Sequence, residues 1–271
     1  MLYFLLFFNK KFTAISLPLI LIALFYGPSA TALGEHEKPK LVIVIDDIGH
    51  QRASAEAALA LPGRLTLALL PFTPFSKEVA VKASDFGKEV ILHSPMSAIS
   101  PSKDAGLGAL TSTQDKKYFL QTFNSQLNFL PGVRGVSNHM GSALTSQKIP
   151  MQWLMEQLKL RNLYFLDSRT TKLSKAARVA EANGVPYLER KFFLDNVVNQ
   201  QSIIRKIEEA VNYARKEGLA VAIGHPYPKT LMLLSERLPE IERNGVDLVW
   251  ASQALTEPSS LIDENFKYSR R

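Results

Sequence analysis

Leu41-Val42-Ile43-Val44-Ile45-Asp46-Asp47-Ile48-Gly49 is the stretch on which the fold turns. Five consecutive apolar residues run into two carboxylates and a glycine. An unbroken apolar run suits a strand covered on both faces, as in a parallel sheet, rather than one with a wet face. Leu219-Ala220-Val221-Ala222-Ile223 repeats the pattern near the other end of the chain.

Working outward, strands are predicted over 41–46, 64–70, 89–94, 135–140, 163–168, 186–190, 219–225 and 247–252. Helical patterns separate them: 51–60, 75–86, 113–129 with Thr113 as a cap, 151–161, 174–183, 200–217 and 229–244. Gly87, Gly184, Gly218 and Gly245 each follow a helix and precede a strand, a rhythm of parallel α/β folds. Pro239 lies inside the last helix and predicts a kink or break there. An open doubly wound sheet and a closed barrel both fit this alternation. Polar residues decide between them. Asp46-Asp47, His93, Asn138-His139, Asp167-Ser168 and His225 all stand at the C-terminal ends of predicted strands. In a barrel those ends meet around one mouth. The expectation is a distorted (β/α) barrel of seven to eight mostly parallel strands, spanning 41–256, with a polar tail over 257–271.

The chain of 271 residues is long enough for one domain with a full core. Residues 1–32 read differently from the rest. An apolar run from Ala14 to Tyr26 follows Lys10-Lys11 and precedes Ala30-Thr31-Ala32, a small-x-small cleavage pattern. This predicts a secretory signal peptide, or an uncleaved N-terminal anchor with peripheral membrane association, followed by a charged linker over 33–40. The implied location is the periplasm or extracytoplasmic envelope. With no cysteine, thiol catalysis and cysteine-ligated zinc are excluded. The net charge of +7 is spread along the chain without an arginine-rich, aromatic-interleaved stretch, which argues against a nucleic-acid partner.

Three of the five histidines end strand-like runs: His93, His139 and His225. Asp47, His93 and His139 supply one carboxylate and two imidazoles, a ligand set for a divalent metal, zinc foremost, with positions left for water. Asp46 then serves as general base and His225 as general acid. The competing role for Asp47 is the N-cap of the helix that follows. Asp167, Arg169, Asn138 and Asp195 are candidate substrate-binding residues, with Asp167 also able to orient a ligand or the acid. The Ser-, Gly- and Pro-rich stretch 97–114 predicts a long loop at the same mouth.

Together, Val44-Ile45-Asp46-Asp47-Ile48-Gly49, Leu92-His93-Ser94-Pro95-Met96, Asn138-His139-Met140-Gly141-Ser142, Asp167-Ser168-Arg169-Thr170-Thr171, Phe193-Leu194-Asp195-Asn196 and Ile223-Gly224-His225-Pro226-Tyr227-Pro228 resemble the divergent polysaccharide deacetylases. The resemblance runs from about Lys40 to Leu255. It implies a distorted barrel of about seven strands. It also implies kinship with metal-dependent esterases that remove acetyl groups from amino-sugar polymers. By likeness the base and metal carboxylates fall on Asp46 and Asp47, and the acid on His225. Two departures stand out. Typical relatives carry a second histidine four positions after the first, where this chain has Ser97. Their Arg-Pro-Pro-Tyr is Asn138-His139-Met140-Gly141 here, and His139 is the candidate replacement ligand. The reading is a deacetylase of an envelope glycan. The alternative is a non-catalytic, metal-containing glycan-binding or envelope partner protein.

Overall fold

The computed structural model describes residues 37–100 and 104–256. The expected signal peptide, residues 33–36 of the linker and the tail lie outside the described residues. Nine strands pair in parallel: β1 (Lys40–Ile48), β2 (Leu65–Leu69), β3 (Lys88–Met96), β4 (Gly135–Met140), β5 (Tyr164–Asp167), β6 (Tyr187–Glu189), β7 (Phe192–Phe193), β8 (Leu219–Gly224) and β9 (Asp247–Leu248). Their order is β6-β5-β4-β3-β2-β1-β8-β7, with β9 also on β1. Helices α1 (Arg52–Leu59), α2 (Ser76–Lys82), α3 (Lys116–Phe129), α4 (Lys148–Leu160), α5 (Ala176–Asn183), α6 (Gln200–Glu217), α7 (Pro228–Arg243) and α8 (Ala251–Thr256) alternate with them. This is a distorted (β/α) barrel. No described helix is long and apolar enough to cross a membrane.

The two ends of the strand path, β6 and β7, do not pair with each other. They belong to one extended segment that changes neighbours. Leu188 and Glu189 face Leu166 and Asp167 of β5, and the Arg190 amide still donates to the Asp167 carbonyl at 2.9 Å. One residue later the Lys191 amide donates to Val221 of β8 at 2.9 Å, and Phe192 and Phe193 face Ala222 and Ile223. The seam is thus bridged by a single stretch of chain. The sequence pattern assigns Phe192-Phe193 to no element, because two residues carry no period.

Strand parity sorts the core. Leu41, Ile43 and Ile45 pack into the large cluster that includes buried helix residues such as Phe123 and Leu154. Val42 and Val44 join Ala68, Ile91, Leu166, Val221 and Ile223 in a second cluster, the barrel interior. At the N-terminal ends of the strands this interior is floored by a polar knot. Glu89 Oε1 accepts from Thr66 Oγ1 (3.0 Å), Tyr164 Oη (2.8 Å) and the Ser252 amide (3.3 Å), and Thr66 Oγ1 accepts from the Ala251 amide (3.0 Å). Those two amides open α8. The predicted strand over 247–252 therefore stops at Leu248, and the chain turns into a helix whose free N–H groups meet the floor.

Other boundaries shift for local reasons. Asp115, not Thr113, caps α3, accepting from the Tyr118 amide at 2.8 Å. Thr111 to Gln114 instead close a turn on the Gln114 side chain. The segment 75–86 ends in a 3-10 turn before Gly87. Helix α4 begins at Lys148, with Pro150 in the first turn where its missing N–H costs nothing. Helix α7 runs through Pro239 without a break, held by buried Leu231, Leu234, Leu238 and Ile241. After β1, Gly49 adopts φ +137, and an added Cβ would lie 2.0 Å from Ser76 Oγ. Only glycine lets this turn press against the Thr73–Ser76 hydroxyl pair.

Candidate metal centre

The interior positions that are apolar in the barrel middle become polar at the top. On β1, Val42 and Val44 are followed by Asp46; on β3, Glu89 and Ile91 are followed by His93; on β8, Val221 and Ile223 lead to His225. Asp47 has the wrong parity for the mouth. It gets there because the register of β1 on β2 shifts between Ile45 and Ile48 and its own φ is +57. Such a bulge re-aims a side chain at the cost of local strain. Met140 (φ +53) and Arg169 (φ +50) are bent the same way just past His139 and Ser168.

The result is a compact cluster. His93 Nδ1 lies 2.7 Å from Ser137 Oγ, which fixes the ring with Nε2 toward Asp47 Oδ1 (3.2 Å) and Asp46 Oδ2 (3.5 Å). His139 Nδ1 lies 2.8 Å from the same Asp47 Oδ1. One donor atom from each of Asp47, His93 and His139 lies within 4.8 Å of the others. Asp47 Oδ1 is buried, yet neither imidazole approach has hydrogen-bond geometry. A buried carboxylate oxygen facing two imidazole nitrogens without a hydrogen bond fits a cation site, and the donor set is one that zinc and its neighbours accept. Asp47 does not cap α1: Gln51 holds that position, with no side-chain bond.

His225 is held from behind. Its Nδ1 lies 2.9 Å from Asp195 Oδ1, its amide donates to Asp195 Oδ2 at 2.7 Å, and Thr230 Oγ1 donates to the same oxygen at 2.9 Å. The ring lies between Phe193 and Tyr227, with centroids 5.1 and 5.5 Å away. That leaves Nε2 toward the mouth, 3.7 Å from Asp47 Oδ2.

Electrostatics separate the two adjacent carboxylates. Burial pushes the Asp46 carboxyl up, offset in part by His93 and reinforced by the neighbouring Asp47. Burial acts on Asp47 too, but contact with His139 and His93 outweighs it and holds Asp47 far below the usual carboxylate range. Burial opposes the charged form of His225, yet Asp195, then Asp46 and Asp47, raise it above the ordinary imidazole value. His93 is raised in the same manner by Asp46 and Asp47 against its burial.

The remaining expected residues sit differently. Asn138, Asp167 and Asp195 are each at most 3% exposed, and their polar atoms are turned inward. Asn138 donates to the Met140 carbonyl (2.7 Å) and accepts from the Ser168 amide (2.9 Å). Asp167 accepts from the Arg169 amide (2.8 Å) and Ser174 Oγ (2.6 Å). Asn138 and Asp167 use their polar atoms in the strand-end turns, and Asp195 uses its own on His225 and Thr230. Arg169 keeps a part-exposed side chain, 3.3 Å from Glu189 and 3.8 Å from Asp167.

Sequence reasoning missed Arg190. At the strand switch its Nε donates to the Ser168 carbonyl (2.7 Å) and its Nη2 to the Arg169 carbonyl (2.9 Å), and the guanidinium stacks 4.8 Å from the Phe193 ring. Burial lowers the pKa of this guanidinium, and Asp167 and Asp46 oppose that shift. Nothing in a lone Glu-Arg-Lys flags this. Ser97, where the second histidine of typical relatives would fall, has a buried hydroxyl without a hydrogen-bond partner among the described residues.

Comparison with known proteins agrees with this architecture. The sequence matches the family described as divergent polysaccharide deacetylase over residues 43–255. It is 37% identical over 219 residues to the uncharacterized protein YibQ of Escherichia coli (strain K12), covering 81% of this chain and 68% of that one. An uncharacterized protein of Haemophilus influenzae is 35% identical over 229 residues, covering 82% and 81%. Among solved structures, the uncharacterized protein ATU2773 of Agrobacterium tumefaciens C58 superposes with a TM-score of 0.78 at 21% identity, covering 81% of this chain and 90% of that one. The peptidoglycan deacetylase PdaC of Bacillus subtilis does so with a TM-score of 0.50 at 12% identity, covering 80% and 89%. The last two likenesses speak to fold.

Proposed function

The chain belongs to the divergent polysaccharide deacetylase family, and from that premise we propose that it is an exported, metal-dependent hydrolase. It removes acetyl groups from an amino-sugar polymer of the cell envelope. The observation that carries this reading is the convergence of Asp47, His93 and His139 on one buried, hydrogen-bond-free carboxylate oxygen, with a second carboxylate and a third histidine beside it.

Asp47, His93 and His139 would hold a divalent cation, with zinc the first candidate. When bound, such an ion polarises an acyl oxygen and acidifies water. The chain's own groups supply the proton transfers. Asp46, with Oδ1 unbonded, is placed to accept a proton from the attacking water when in its carboxylate form. Burial raises its affinity for that proton, which suits a base. The C–N bond of the acetamide then breaks. His225 donates from Nε2 to the departing amine, giving acetate and the free amino sugar. Asp195 acts as a positioning residue. It fixes the tautomer of His225 and favours the imidazolium needed for that donation.

The test is acetate release from N-acetylated chitin oligomers and from peptidoglycan by the purified, metal-loaded protein. Release is expected, with loss on chelation and in His93→Ala, and metal analysis should find about one ion per chain in the wild type only. No acetate from either polymer at full metal occupancy would refute the activity. Ser97, in the place of a ligand histidine, motivates the second reading, a non-catalytic glycan-binding or partner protein of the envelope. Unchanged cellular function in an Asp46→Asn/His225→Ala variant would favour it.

A further inference from the structure

Among the described residues, twelve large apolar side chains are exposed. Five of them lie in α-helices, and Phe86 lies in the 3-10 turn before β3. The other six are Ile99, Leu107, Leu173, Val197, Val198 and Tyr227, exposed by 43% to 76%. All six lie in connections that leave the C-terminal ends of β3, β5, β7 and β8. Phe86 alone of the set lies in a helix-to-strand connection at the opposite end. In a parallel barrel these connections share one rim, so the six ring the mouth. A single exposed aliphatic residue needs no explanation. Their gathering at one end does.

Charge narrows the choice of partner. Lys172 and Lys175 flank Leu173, and Lys229 follows Tyr227 by two positions. All three are exposed, and none forms an ion pair among the described residues. The acids of these connections are Asp195, buried behind His225, and Asp104 and the helix cap Asp115, both in the β3–α3 connection. A protein interface would favour aromatic residues, methionine and arginine, with lysine depleted. This rim has five aliphatic residues, one tyrosine and lysines. Exposed hydrogen-bonding side chains such as Thr170 and Asn196 stand in the same connections, but the flat rings a sugar groove favours are represented among the exposed large apolar side chains here by Tyr227 alone. Short apolar tips beside lysines match the headgroup and acyl boundary of an anionic bilayer.

We propose that the mouth rim docks on an anionic membrane surface, with the tips around Leu173 and Val197-Val198 in the interface and Lys172, Lys175 and Lys229 against lipid phosphates. The active cluster would then face sugar headgroups held at the membrane. The inference goes beyond the deacetylase reading and does not depend on it, since it concerns where the mouth faces and not what reacts there.

The absence of cysteine allows a site-resolved test in the full chain. Leu173→Cys, Val198→Cys and, at the opposite end of the barrel, Glu217→Cys would each carry one environment-sensitive fluorophore. Vesicles of phosphatidylglycerol and phosphatidylethanolamine should blue-shift the labels at 173 and 198 and leave the label at 217 unchanged. Neutral phosphatidylcholine vesicles should do much less. Binding through residues 1–36 alone would not produce this pattern. Lys172→Gln with Lys175→Gln should weaken anionic vesicle binding about thirtyfold, with an unchanged thermal midpoint as the control for folding. Equal shifts at 198 and 217, or no shift with anionic vesicles, would overturn the proposal. So would shifts produced only by a soluble amino-sugar polymer, which would assign the rim to glycan. Acetate release is not read in any arm, so loss of the catalytic reading would leave this result intact.

Discussion

Glu89 and His93 stand four residues apart on the same face of β3, one at the floor of the barrel and one at its mouth. Both are buried, and both belong to clusters of ionisable and hydroxyl groups. At the floor, Glu89 Oε1 collects three donors and Thr66 relays a fourth, and Tyr164 is driven well above its ordinary phenol value by burial and by Glu89. At the mouth, Asp46 Oδ1, Asp47 Oδ1, Ser97 Oγ and Ser168 Oγ have no hydrogen-bond partner among the described residues. Native proteins leave few such atoms, since each forgoes about 1–3 kcal/mol of desolvation without return. The contrast teaches where one strand serves architecture and where it serves chemistry. A satisfied polar knot closes the barrel, and four residues along the same strand the candidate metal ligand His93 opens onto the mouth.

That contrast can be broken by substitution. The largest effect belongs to the mouth. Asp46→Asn should lower acetate release about 10³-fold while leaving the urea midpoint unchanged or slightly higher, because it removes a carboxylate whose burial opposes its charge. A matching loss of stability would erase the distinction. At the floor the outcome should reverse. Glu89→Ala strands Tyr164, Thr66 and the Ser252 amide and should cost about 3 kcal/mol in urea unfolding, with kcat per folded molecule nearly unchanged. Next comes the metal. Loading the site at about a hundred times Kd should stabilise the fold by about 2.7 kcal/mol, seen as a higher melting temperature that chelation reverses. His93→Ala should show no such rise, and a rise of equal size in that variant would point to a different site. The smallest effect is Asp195→Asn. Asp195 raises the His225 pKa, so its loss should lower that pKa and move the alkaline limb of the pH–rate profile to lower pH, with a rate loss of about tenfold at neutral pH. An unmoved limb would show that His225 does not act as the protonated donor.

The same contrast marks what could be read in advance. The mouth was legible because strand parity carries it: Val42, Val44 and Asp46 occupy one face, and His93 and His225 end runs of the same kind. The barrel itself followed from recurring strand–helix alternation with polar strand ends. The floor was not legible. Glu89 reads as the first polar residue of a strand, and its partners Thr66, Tyr164 and Ser252 come from three remote segments. Asp195 was ambiguous for a similar reason, since its tie to His225 spans thirty residues. The inward turn of Asp47 depends on a register shift against β2, which no local pattern encodes. Arg190 acts only because the chain changes neighbours at that residue.

That change of neighbours has a consequence for the girth of the barrel. Between Leu188 and Phe193 one length of chain behaves like a hoop's buckle, joined to β5 on one side of Arg190 and to β8 on the other. Strands β1, β3 and β4, which carry Asp47, His93 and His139, lie on the far part of the ring. Lengthening the buckle by a residue or two would loosen the circumference without disturbing the register of those three strands. The width of the mouth is therefore adjustable at one point, independently of the spacing of Asp47, His93 and His139.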